Sequence, residues 1–133
     1  MLEKVRLNQI NDIIKSDPLL QALKVQVTAL TEGSVTMSML VESEKHTNPE
    51  GFIHNGILFR LVDLAMGGAI LTTGYFVRTN SISISLVPNA LQSDKVIAAG
   101  TMIAKRDSFI VAEAKIMDEK KRLFAKAQGS YLI

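Results

Sequence analysis

The stretch FIHNGILFRLVDLAMGGAIL, residues 52–71, constrains this chain more than any other. The 14 residues from Leu64 to Val77 carry no charge, and the segments on both sides of the stretch alternate apolar and polar with period two. Fourteen falls short of the roughly 20 apolar residues that cross a bilayer, and Gly67-Gly68 interrupts the run, so no membrane span is expected. A segment apolar on nearly all sides and flanked by strands is expected to be a helix enclosed by its own sheet. It should start near Asn55, a good N-cap residue, and run to about Thr73. Gly67 and Gly68 each cost roughly 1 kcal/mol in a helix interior relative to Ala, which a close approach of sheet or partner backbone would justify.

Upstream, Leu2, Val5, Ile10, Ile13 and Ile14 approximate helical spacing, and "SDP" at 16–18 ends that segment. Leu23, Val25, Val27 and Ala29 then alternate, "EGS" at 32–34 turns the chain, and Val35, Met37, Met39 and Val41 alternate again, which predicts a hairpin. "EKHTNPEGF" at 44–52 reads as a loop. Beyond "TTGY", the runs "NSISISL", "KVIAAGTMIA", "SFIVAEAKIM" and "RLFAKAQGSYLI" predict four strands, the last three joined by the solvated turns "KRD" and "DEKK". Helix, two strands, helix and four strands define an α+β fold, a single domain over residues 1–133 with an antiparallel sheet of six strands.

Composition narrows the chemistry. A 47% hydrophobic and 21% charged chain is not disordered. It has no cysteine and two histidines, so neither thiolate chemistry nor a recognised metal-ligand pattern is expected. A net charge of +2 is too slight to mark nucleic acid as a partner. The first residues mix acids and bases without an apolar core, so no signal peptide is expected and a cytoplasmic location is the default.

Asp63 is the one acid in the central stretch, between Val62 and Leu64. An unpaired carboxylate buried there would cost several kcal/mol. Arg60, three residues earlier, could pair with it as an ordinary helix-surface ion pair. A catalytic reading starts from the helix N-terminus, whose free N–H groups and dipole suit an anion or a developing oxyanion. Asp63 lies eight residues past Asn55, about 12 Å along the axis, so one helix cannot bring both to one small group. A two-fold dimer can, by placing the acid of one chain at the helix start of the other.

Asn48, then His54-Asn55-Gly56 at the helix start, then Asp63 nine residues past the histidine form a spaced set: NPEGFIHNGILFRLVD. This set, with the element order, resembles the hotdog-fold acyl-CoA thioesterases, and within them the phenylacetate-degradation and human thioesterase-superfamily branch. The resemblance implies a helix wrapped by an antiparallel sheet, hydrolysis of an acyl- or aryl-CoA, and a site shared across a dimer or dimer of dimers. Asp63 would be general base or nucleophile, and the Asn55 N–H would polarise the thioester carbonyl. Gly56 would keep the pantetheine path clear, Asn48 would orient water or carbonyl, and His54 would support that loop. Thr79 would stand opposite the acid, and Arg78, Lys105 and Arg106 would meet the CoA phosphates. No cofactor is implied beyond the CoA of the substrate.

Two positions depart from the family pattern. Asn55 replaces a glycine, and Arg60 stands where relatives have a small or hydroxyl residue. If Arg60 reached Asp63 it would lower that group's basicity. A hotdog dehydratase is excluded, since its acid would fall at Arg60 when counted from His46. The non-enzyme alternative is a hotdog protein that only binds acyl-CoA. Phe59, Met66, Tyr75 and Phe76 are the expected apolar lining.

Overall fold

The computed structural model describes residues 2–89 and 94–133. Its elements run α1 (Leu2–Ser16), α2 (Pro18–Leu23), β1 (Gln26–Thr31), β2 (Ser34–Leu40), α3 (Ser43–His46), α4 (Asn55–Leu71), β3 (Arg78–Leu86), β4 (Lys95–Arg106), β5 (Phe109–Asp118) and β6 (Leu123–Leu132). The six strands pair antiparallel in the order β1-β2-β4-β5-β6-β3, and α4 packs against one face of the sheet. This is the hotdog fold.

The close fit of helix and sheet follows from side-chain size. Val62, Ala65, Met66, Ala69 and Ile70 of α4 are fully buried, and they meet a sheet face built from Ala98, Gly100, Ala112, Ala114, Ala125 and Ala127. At Gly100 a Cβ would lie 2.1 Å from the carbonyl oxygen of Ala65, a distance no real side chain shows. Strand and helix backbones touch there, and only glycine permits it. The helix glycines divide the expected role. A Cβ on Gly68 would press on Met37 at 3.0 Å, whereas one on Gly67 would meet nothing within 4 Å.

Four local expectations are corrected. Leu23 belongs to a short helix, α2, and not to the first strand. Pro18 occupies its first turn, Asp17 caps it at the N–H of Leu19 (3.0 Å) and Leu20 (3.3 Å), and left-handed Lys24 ends it. The loop at 44–52 contains the single turn α3, and α4 starts with His54 as N-cap, so that Asn55 is its first helical residue. The "DEKK" turn is not simply solvated. Asp118 is buried, and its carboxylate accepts the N–H groups of Lys120 and Arg122 (both 2.9 Å) and Nε of Arg122 (2.8 Å). Burial works against its charge, but the Arg122 and Lys120 donors prevail and hold the carboxyl below the usual carboxylate range.

Candidate active site

Asp63 sits midway along α4, on the side facing β3 and β6. Its Oδ1 accepts two hydroxyls, Thr79 Oγ1 at 2.9 Å and Tyr131 OH at 2.8 Å. Thr79 and Tyr131 are cross-strand partners in the β3–β6 ladder, which explains why both side chains reach the same oxygen. The ladder slips its register between Thr79 and Ser81, an irregularity of the kind that re-aims a side chain. Burial, the charge of Asp63 and the hydrogen bond to it all push the Tyr131 phenol up, so it stays a proton donor. The acid is therefore not stranded in apolar surroundings, as its sequence neighbours imply, but is hydrogen-bonded at one oxygen. Thr79 is legible from the motif; Tyr131, 68 residues away, is not.

The second oxygen, Oδ2, has Arg60 Nη1 at 3.5 Å, a long contact. The other guanidinium nitrogen lies 3.0 Å from Asp17 Oδ2. Arg60 thus reaches Asp63, as the spacing allows, but its shorter bond goes elsewhere.

The helix start is built differently. Asn48 Oδ1 accepts the N–H groups of Glu50 (2.9 Å) and Phe52 (3.0 Å), so this side chain folds the loop as an Asx turn. His54 acts through its backbone: its N–H donates to the His46 carbonyl at 3.0 Å, and its own carbonyl accepts from Ile57 and Leu58. His46 is buried, and its Nδ1 accepts the Glu42 N–H at 2.9 Å. Among the described residues, the N–H groups of Asn55 and Gly56 have no acceptor. Asn55 does not have positive φ, so nothing at this position demands glycine. A Cβ on Gly56 would meet nothing within 4 Å, and this end of the helix is open.

His46 ties this loop down as a neutral ring. Burial lowers its pKa and outweighs the attraction of Glu42. A histidine that is harder to protonate folded than unfolded loses its stabilising effect as pH falls below the unfolded value, about 6.5, because the unfolded chain takes up the proton first. Thermal melts between pH 7 and 5 should therefore show falling stability. In His46→Asn this slope should flatten, at a cost of about 1 kcal/mol at pH 7 from lost packing.

The two parts of the site line separate clefts. A cleft of about 170 Å³ holds Asp63, Arg60, Thr79, Tyr131, Tyr75 and Phe76, floored by Gly67 and walled by Ile10 and Ile13. A second, of about 330 Å³, lies at the helix start between Asn48, Phe52, Asn55 and the end of β3 at Leu86 and Val87. Of the expected apolar lining, Tyr75 and Phe76 face Asp63, whereas Met66 is buried in the core against Gly129 and Phe59 is exposed outside the cleft. Lys105 Nζ stands 5.0 Å from the centre of the ring of Tyr75, a residue that lines the Asp63 cleft. Arg78 opens β3 beside Thr79, and Arg106 ends β4 next to Lys105.

The fold is similar to that of solved thioesterase-superfamily structures. A crystal structure from that superfamily matches with a TM-score of 0.85 and 25% identity, over 97% of this chain and 98% of the other. The PaaI protein of the E. coli phenylacetic acid degradation operon matches with a TM-score of 0.88 at 20% identity, over 99% and 95%. A Streptococcus mutans protein solved with acetyl CoA bound matches with a TM-score of 0.74 at 23% identity, over 81% and 86%. By sequence, a protein of Archaeoglobus fulgidus named "Putative esterase" is 25% identical over 130 residues, 98% of this chain and 81% of that one. A second protein named as an esterase, from Saccharolobus solfataricus, is 28% identical over 121 residues, 90% of this chain and 85% of that one. No protein-family model matches the chain. The relatives support a thioesterase-like hydrolase. No helix among the described residues is long and apolar enough to cross a membrane.

Proposed function

We propose that this protein hydrolyses the thioester of an acyl- or aryl-CoA, releasing a carboxylic acid and CoA, in a site shared between two subunits. The observation that carries this reading is Asp63 itself. One carboxylate oxygen is pinned by Thr79 and Tyr131, while the other has only the long 3.5 Å Arg60 contact, and the carboxylate lines a largely apolar-walled cleft. The acetyl CoA bound by the S. mutans neighbour supports a CoA ester as substrate.

As general base, Asp63 takes a proton from water as the water oxygen bonds to the carbonyl carbon. The resulting oxyanion meets the free N–H of Asn55, with the helix dipole behind it. Collapse breaks the C–S bond, and the proton returns from Asp63 to the CoA thiolate. Direct attack by Asp63 would instead leave an acyl-enzyme anhydride; in a single turnover in oxygen-18 water, the general-base route labels only the product acid, whereas an anhydride opened by water at the Asp63 carbonyl labels Asp63.

Sharing is supported by the two separate clefts and by β3. This nine-residue strand pairs with β6 on one side and, among the described residues, with no strand on the other. A long unpaired edge is a template for another strand. Two copies pairing through β3 would continue the sheet into a dimer, and dimers of dimers fit the same fold. Asn48 and His54 then hold the loop that presents the Asn55 N–H, and Gly56 leaves the entry open.

A thiol-release screen over short, medium, long and aromatic acyl-CoAs tests the activity; no turnover on any of them leaves the binding-only alternative. Replacing both Lys105 and Arg106 with Ala should raise KM for acyl-CoA and spare short thioesters that lack the nucleotide. Equal losses on both substrates would contradict their assignment, with Arg78, to the CoA phosphates.

A further inference from the structure

Arg60 presents a difficulty for a base at Asp63. A guanidinium closing on Oδ2 would occupy the one oxygen that Thr79 and Tyr131 leave open, and would weaken it as a proton acceptor. The geometry points to Asp17 as the positioning residue that prevents this, by holding the Arg60 guanidinium back from Asp63. This rests on the thioesterase reading above.

Asp17 is itself fixed at both oxygens. Oδ1 caps α2 through the N–H groups of Leu19 and Leu20, and Oδ2 accepts Arg60 Nη2 at 3.0 Å. The Arg60 hydrogen bond, aided by the Leu20 and Leu19 donors, holds the Asp17 carboxyl below the usual carboxylate range. Against this 3.0 Å bond, Arg60 Nη1 reaches Asp63 Oδ2 only at 3.5 Å, at the limit of a hydrogen bond. Side chains of all three residues are about a quarter to a third exposed, so the guanidinium is free to swing if one anchor is removed.

The titratable and charged groups facing Asp63 are few. Among the described residues, its own helix supplies Arg60, the segment before α2 supplies Asp17, β6 supplies Tyr131, β3 supplies the neutral Thr79, and Tyr75 lies across the cleft with Lys105 over the ring. The balance at Oδ2 is therefore set by Asp17 and Arg60.

Asp17→Asn is the test, because asparagine caps a helix as well as aspartate does, while its amide NH2 replaces the charged Oδ2 acceptor that anchors Arg60. Arg60 should then close on Asp63. The acid limb of the kcat/KM profile should move down by about one pH unit or more, and the plateau should fall several-fold. Adding Arg60→Ala should abolish both effects. A variant that only melts earlier, with limb and plateau unmoved, overturns the proposal. Carbon-13 titration of the Asp63 carboxyl reads the same hold without substrate. A lower midpoint in Asp17→Asn supports the positioning role even if the parent hydrolyses no thioester, which would overturn the thioesterase reading alone. An unmoved midpoint overturns the positioning role even in an active enzyme.

Discussion

Asp63→Asn is expected to lower kcat by about 10²–10⁴-fold, the usual loss when a general base is removed. The structure indicates why the protein should otherwise be little changed. The amide oxygen can still accept the Thr79 and Tyr131 hydroxyls, and Arg60 keeps its shorter bond to Asp17. Binding of a non-hydrolysable acyl-CoA should persist, since the proposed carbonyl contact is a backbone N–H. A structural ion pair would behave differently. The substitution would then weaken the fold by removing the charge that Arg60 pairs with, and hydrolysis would continue at the parent rate. Steady-state kinetics beside thermal melts separate the two.

Asn55→Pro is the second large effect; it removes the backbone N–H together with the side-chain amide, and Asn55→Ala, which removes the amide alone, is its control. Asn55 is the first helical residue, where proline is favoured because that N–H has no helical acceptor. The residue before a proline must be extended, and His54 already is, with φ −55° and ψ 132°. The helix should therefore form unchanged while the proposed oxyanion donor is gone, and kcat should fall by about 10²–10³-fold with melting temperature held. An active, stable Asn55→Pro protein would remove that N–H from the mechanism.

What the sequence reveals and what it hides divide along physical lines. The central helix and the long strands are legible because each buries one continuous surface, whose period the sequence must carry. Asp63 and Thr79 are legible through the family motif, and the separation of Asp63 from its own helix start follows from helix rise alone. Tyr131 is hidden, because a tyrosine ending a strand is ordinarily core and only the β3–β6 register brings it to the acid. Asp17 reads as the end of a helix, and its contact with Arg60 spans 43 residues that no local pattern links. Short α2 and α3 carry too few residues to show a period. Gly100 carries no signal of its own, since only the packed structure reveals the Ala65 carbonyl against it.

The central claim is that one subunit supplies Asp63 and the other supplies the Asn55 N–H. Subunit mixing tests it most directly. Asp63→Asn and Asn55→Pro chains, each nearly inactive alone, are co-expressed with different tags so that dimers form at random. A mixed dimer then carries one site with both defects and one with none, so activity should return to about a quarter of the parent value, concentrated in the doubly tagged fraction. Mixed dimers as inactive as their parents would show that each site belongs to a single chain, and would contradict the account.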